Sequence, residues 1–227
     1  MKIVYICLTL VSIQIPVISG QNVISNNLVG MQSSAEINDK EQAHYGIYLR
    51  LLAGIGFPET NRNWNANGES DEISVDGTGP ALRLQLGASV IPNLIVYGEI
   101  SGSYMREPDV VWDDIPQTPE HTNFLILDYG LGATYYILPY DFCISGSLTA
   151  SQTKYGYEES GKIIYTDIGL GANLLIGKEW FLSEKIGAGF ALYYHLSNLD
   201  DERYKVSVKN TVWGILAAFN FKLADFN

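Results

Sequence analysis

The sequence predicts an all-β fold, an eight-stranded antiparallel up-and-down transmembrane β-barrel. Three observations predict it: period-two alternation in runs of about ten residues, polar connections that alternate long and short, and no apolar stretch past residue 20 long enough for a membrane helix. The clearest alternation lies between Ile163 and His195. Ile164, Thr166, Ile168, Leu170, Ala172, Leu174 and Ile176 share one parity, and Ile163, Tyr165, Asp167, Gly169, Gly171, Asn173 and Leu175 the other. After a short polar connection, Ile186, Ala188, Phe190, Leu192 and Tyr194 alternate with Gly187, Gly189, Ala191, Tyr193 and His195. Such alternation is a strand with one apolar face and one small or polar face.

The chain has 227 residues. Lys2, the apolar run Ile3–Ile18 and Ser19-Gly20 read as a signal peptide over residues 1–20, with export as its consequence. Residues 21–44 are polar and aperiodic, a flexible periplasmic lead-in, and residues 45–227 form the barrel. Of the two cysteines, Cys7 falls in the leader, so Cys143 has no partner for a disulfide within the mature chain. The net charge of -11 excludes a basic nucleic-acid footprint. No cofactor motif and no metal-ligand spacing is present, so neither is expected.

In order, the first strand runs from Tyr45 to about Phe57, with Tyr45, Ile47, Leu49, Leu51, Ala53 and Ile55 on one face and Arg50 on the other. The acidic connection Pro58–Gly79 leads to a strand over about 80–90, where Leu82, Leu84 and Leu86 alternate with Arg83 and Gln85. Ile91-Pro92-Asn93 is a tight turn. The third strand, about 94–104, sets Val96 and Ile100 against Tyr97 and Glu99, and the polar loop Met105–Thr122 follows. The fourth, about 123–137, carries Asp128 on its polar parity; the turn Leu138–Asp141 and a fifth strand over about 142–153 come next. A modest loop, Tyr155–Gly161, precedes the sixth strand, and Gly177-Lys178-Glu179-Trp180 is expected to open the turn to the seventh. The eighth strand carries Trp213, Ile215, Ala217, Phe219 and Phe221.

Short connections belong to the periplasmic end of bacterial barrels and long ones to the cell surface. Aromatics gather near both ends: Tyr104, Tyr155, Tyr165, Tyr194 and Trp213 at the outer one, and Tyr45, Tyr140, Phe142, Trp180 and Phe221 at the inner. In a soluble barrel the second parity would face water and be about a quarter to a third charged. Here it is mostly Gly, Ser, Ala and Tyr, which suits the interior of a small barrel that side chains just fill.

The run from Ile176 to Ser183 (Ile-Gly-Lys-Glu-Trp-Phe-Leu-Ser), followed by Gly187-Ala188-Gly189, resembles the small outer-membrane barrels of the OmpA and OmpW type. The chain departs from them in ending on Asn227 after Phe226, where such barrels usually end in an aromatic residue. The resemblance implies the outer membrane of a Gram-negative bacterium. It implies contact with membrane lipid and lipopolysaccharide, insertion by the barrel-assembly machinery and a monomeric state; the surface ligand is left open.

Ionisable groups at membrane depth are candidate functional groups. Five fall on the inward parity: Arg50 and Glu99 near mid-depth, expected to pair, and Arg83, Asp128 and Asp167 nearer the outer mouth. They read as an ion-pair network filling the lumen. Glu59, Glu69, Asp71, Glu72 and Asp76 in one outer connection, and Glu107, Asp109, Asp113, Asp114 and Glu120 in the next, read as solvated faces. His195-Leu196-Ser197-Asn198 resembles the His-x-Ser-Asn motif of the outer-membrane lipid A deacylases. That likeness would make His195 the base, Ser197 the nucleophile and Asn198 an oxyanion donor. The family's orienting carboxylate lies well downstream of the serine, whereas here Asp200, Asp201 and Glu202 follow it directly, Glu202 being the one that could fold back beneath the histidine. A strand end and turn account for the same four residues without catalysis.

The reading is a non-enzymatic barrel with a filled lumen and a structural or surface-binding role. A narrow channel would need a water path past Arg50 and Glu99. A lipid A deacylase-like esterase would need a carboxylate within reach of His195.

Overall fold

The computed structural model describes residues 46–66, 69–112, 115–117, 122–138, 140–157, 162–201 and 206–224. The leader at 1–20, the segment 21–44, Tyr45 and Glu202 lie outside them. The strands are β1 (Ile47–Ala66), β2 (Glu69–Asp76), β3 (Gly79–Ile91), β4 (Leu94–Arg106), β5 (Asp109–Trp112), β6 (Ile115–Gln117), β7 (Thr122–Ile137), β8 (Phe142–Tyr157), β9 (Lys162–Tyr165), β10 (Gly169–Phe181), β11 (Ile186–Asp201) and β12 (Val206–Ala224).

Eight of them are the staves of a closed barrel, ordered β1-β3-β4-β7-β8-β10-β11-β12, each antiparallel to the next, with β12 returning to pair β1. Closure leaves the stave backbone no free edge, the condition for a sheet in hydrocarbon. The alternation is realised as inside and outside. On β3, Leu82, Leu84 and Leu86 are exposed, while Arg83 and Gln85 between them are buried. The apolar parity faces out on every stave, the reverse of a water-soluble protein.

The turns at one end are short. Asn93 and Asp141 adopt left-handed backbone conformations (φ 67° and 57°), which Asn and Asp tolerate best among non-glycine residues. At the other end the staves continue where the sequence suggested loops. β1 runs on to Ala66 because Glu59–Trp64 pairs with β2 on one side and with β12 on the other. β5 adds to β2, and β6 to β5, so a small sheet projects at the outer end in the order β1-β2-β5-β6. Along it, Glu59 stands opposite Asp76, and Asp76 opposite Asp109.

Two stretches differ from the sequence expectation. The run 163–176 is not one strand: β9 pairs with the outer end of β8, the chain breaks at 166–168, and β10 resumes the pairing lower down. The break shifts the phase, so Thr166 is buried while Tyr165 and Asp167 are exposed; Asp167 does not belong to the lumen. The turn expected at Gly177–Trp180 comes later, at 182–185, because Lys178 still pairs with Phe142 and Phe190 and Trp180 with Ala188. Glu179 thereby becomes an inward strand residue.

Candidate functional site

The lumen holds a column of polar side chains beside an apolar cluster that includes Leu52, Leu175, Tyr193, Val212 and Leu216, with an apolar cap at each end. At the turn side, Tyr48, Ile95, Tyr136 and Cys143 form one cap. At the outer end, Val75, Met105, Phe124 and Tyr155 form the other, with Ile73, Val110 and Ile164 packed on it. Tyr155, expected in the outer aromatic belt, is buried here, with the Arg62 guanidinium 4.8 Å from its ring centroid. Phe57 and Trp213 do stack on the outer wall.

The lowest polar tier is built on Arg50. Its Nη2 forms an ion pair with Glu179 and donates to Cys143 Sγ at 3.4 Å, while Nη1 donates to Gln85 Oε1 at 3.2 Å. Glu179 also accepts from Tyr136 Oη (2.8 Å) and from Asn220 Nδ2. Arg50 therefore does not pair with Glu99, and it sits toward the turn side rather than at mid-depth, because Glu179 and Cys143, which hold its Nη2, come from the turn-side ends of β10 and β8. The missed partner, Glu179, could have been found by extending the inward parity of Asn173, Leu175 and Gly177 by one more step.

The middle tier centres on Glu99. Arg83 Nη1 pairs with it at 3.1 Å, Gln85 Nε2 donates at 3.0 Å and Asn173 Nδ2 at 2.8 Å, and Ser147 Oγ completes the shell. Gln85 thus links the Arg50 and Arg83 pairs without direct contact between Arg50 and Glu99. Since the Asn173 amide donates to Glu99, its Oδ1 is turned toward Arg83 Nη2 (3.1 Å) and His195 Nδ1 (2.9 Å).

The upper tier holds His195. With Nδ1–H donating to Asn173, Nε2 is free to accept from Ser197 Oγ at 3.2 Å. Ser197 Oγ accepts in turn from Asn210 Nδ2 at 3.0 Å. Asn210 donates to Thr153 Oγ1 (2.9 Å) and accepts from Thr60 Oγ1 (2.8 Å). Asp128 lies 3.6 Å from His195 Nε2 and is held by Ser101 Oγ (3.2 Å) and Ser151 Oγ. His195–Asn198 is therefore not a strand end and turn: it lies within β11, which continues to Asp201. His195 and Ser197 are each 1% exposed, whereas Asn198 faces outward, on the opposite side of the strand from Ser197.

The arrangement contains a hydrogen-bonded Ser–His–Asn relay, and His195, Ser197, Asn173 and Asn210 line none of the following three cavities. A lumenal void beside Arg50, lined by Tyr48, Gln85, Tyr97 and Tyr136, measures about 10 Å³, which is about the room of one water. Cavities of about 400 and 410 Å³ lie elsewhere, one at the outer end beside Phe57, Asp76, Arg106 and Trp213, the other on the outer wall over Leu82, Ile100, Gly102 and Leu127. No described group of carboxylate, histidine or cysteine side chains converges as a metal site.

No family model matches the sequence, and no curated protein matches it. Solved structures do match. Neisserial surface protein A superposes with a TM-score of 0.50 at 13% identity, over 78% of this chain and 97% of that one. The outer membrane protein OprG from Pseudomonas aeruginosa gives 0.49 at 16% identity, over 79% and 98%. Ail of Yersinia pestis, in complex with the heparin analogue sucrose octasulfate, gives 0.44 at 14% identity, over 78% and 99%. The first of these shows the fold, that of the small outer-membrane barrels. A closed barrel whose outside is apolar along every stave is a membrane-spanning barrel, and its membrane is the outer one.

Proposed function

We propose that this chain is a non-enzymatic outer-membrane barrel with a sealed lumen, acting through the sheet its long strands raise at the cell surface. The observation that carries this reading is the filling of the lumen. Buried ionic and amide groups bond to one another from Glu179 up to Asn210, and apolar clusters close both ends. A transport protein needs a path for its solute, and a void of about 10 Å³ offers none. The network then serves to hold the barrel rigid beneath the projecting sheet, whose exposed residues include Glu59, Asn63, Glu72, Asp76, Asp109 and Ile115. Lipopolysaccharide surrounds that end, the assembly machinery inserts the barrel, and the closed hydrogen-bond circuit suits a monomer.

The Ser–His–Asn relay favours a second reading, a lipid A deacylase-like hydrolase, through its 3.2 Å serine–histidine contact. Burial of both groups and the outward side of Asn198 speak against it. The deciding experiment for the first reading is conductance of the purified protein in planar bilayers. It should be at background; well-resolved, porin-like steps would overturn the sealed lumen.

A further inference from the structure

Lys178 is a cation on the lipid-facing wall. It alternates with the inward residues Gly177 and Glu179 on β10, and its cross-strand partners are Phe142 on β8 and Phe190 on β11. Its ammonium lies 5.2 Å from the Phe142 ring centroid and 5.5 Å from that of Trp180, and Trp180 packs on Phe190 at 5.8 Å. The next carboxylate along the strand, Glu179, is on the other side of the wall and is taken up by Arg50, Tyr136 and Asn220. Among the described residues Lys178 has no carboxylate within ion-pair distance. The turn at 182–185 begins two residues beyond Trp180, so this cation stands at the height where the inner-leaflet headgroups begin.

A charge on a lipid-facing wall is costly unless something compensates it. The aromatic faces compensate part. The remaining requirement is an anion at that depth, and phospholipid phosphate is the anion that the membrane supplies there. The rings around Lys178 offer flat apolar surface to the glycerol and upper acyl region. The Trp180 indole N–H, on the same face two residues on, adds a second donor at the headgroup level. Trp180, Phe142 and Phe190 all stay half-exposed, so the surface is open to lipid.

We propose that Lys178, Trp180, Phe142 and Phe190 form a binding site for one inner-leaflet phospholipid with an anionic headgroup, its phosphodiester on the Lys178 ammonium. Net negative charge matters because the lysine is not neutralised by the protein; a zwitterionic lipid brings its own cation to the same place. The site is independent of what the outer sheet contacts.

The test uses folded full-length barrel in detergent, exposed to phosphatidylglycerol or phosphatidylcholine, with retained lipid counted by native mass spectrometry. Folding of each variant is checked by its heat-dependent mobility in gels. Wild type should retain severalfold more phosphatidylglycerol than phosphatidylcholine. Lys178→Met, which keeps an apolar chain on a lipid-facing wall, should lose that excess, and Lys178→Arg should keep it. Lys209→Met, at the opposite end of the barrel, should match wild type. Equal retention of the two lipids by wild type, retention of the excess by Lys178→Met, or equal loss in Lys209→Met would each overturn the site.

Discussion

Arg50 and Glu179, 129 residues apart in sequence, form the ion pair that closes the turn-side end of the lumen. Both side chains are buried, so each depends on the other and on the shell of Gln85, Cys143, Tyr136 and Asn220. Removing one charge strands its partner in a poorly solvated space, which costs more than removing both. Glu179→Gln should therefore destabilise the barrel by about 3–5 kcal/mol. Arg50→Met combined with Glu179→Gln should recover part of that loss. Reversible urea unfolding in lipid vesicles measures it, and an additive cycle would mean that the two side chains are not coupled.

On the outer wall, cost should follow depth. Leu148 is 76% exposed and lies on β8 opposite Leu131 and Ala172. Leu148→Arg should cost about 2–4 kcal/mol, the value for an arginine near the bilayer midplane, and Leu170→Arg, nearer the outer end of its stave, less. Inward glycines follow a different rule. A Cβ at Gly171 would meet the hydroxyls of Ser151 and Thr149 and, at 3.2 Å, His195. Gly171→Ser should thus cost about 1–3 kcal/mol by overpacking. Gly146→Ala, on the outward face of β8, should cost little, because its Cβ meets only a carbonyl oxygen at 3.9 Å. The same unfolding assay ranks all four variants, and equal costs at Gly171 and Gly146 would refute the assigned facing.

Cys143 reports on the integrity of the turn-side tier. Its sulfur is fully buried, 3.4 Å from Arg50 Nη2 and 3.7 Å from Glu179 Oε1. In a Cys7→Ser background the folded protein should resist a water-soluble maleimide, and urea should expose a single reactive thiol. Rapid labelling of the folded barrel would mean that water reaches Arg50, and would point to a conducting lumen.

Facing was legible from the sequence because a strand's period is two and the bilayer rewards only one outcome: Leu82, Arg83, Leu84, Gln85 and Leu86 state it in five residues. Pairing across the lumen was not. Which inward charges meet depends on the stagger between tilted strands, a property of the closed sheet as a whole. Depth along the chain alone matches Arg50 to Glu99, whereas the stagger brings it to Glu179. Glu179 itself was hidden by Gly177 and Lys178, which look like a turn until their partners on β8 and β11 are known. The phase shift at 166–168 was invisible because both parities there carry apolar residues, Ile163 and Tyr165 on one and Ile164 and Ile168 on the other. The polar run Asn61-Arg62-Asn63 has weak strand preference and is extended only because strands pair with it on both sides.

His195 and Ser197 should prove structural. The pair has the contact a nucleophile and base require, and Asn173 orients the imidazole from the other side. Catalysis requires in addition that an ester reach Ser197 and that donors await the oxyanion. Ser197 Oγ is already occupied by the Asn210 amide, and the donor that the deacylase likeness nominated, Asn198, is on the outer face of β11. The relay instead ties β10, β11 and β12 together through Asn173, His195, Ser197 and Asn210. Breaking it should lower stability: Asn173→Ala removes at once the acceptor of Arg83 and His195 and a donor to Glu99, and should cost roughly 1–3 kcal/mol for each buried group left unsatisfied. Purified wild type and Ser197→Ala should release equal, background amounts of fatty acid from lipid A. Release by wild type that vanishes in a folded Ser197→Ala barrel would establish the relay as an active site and overturn the non-enzymatic reading.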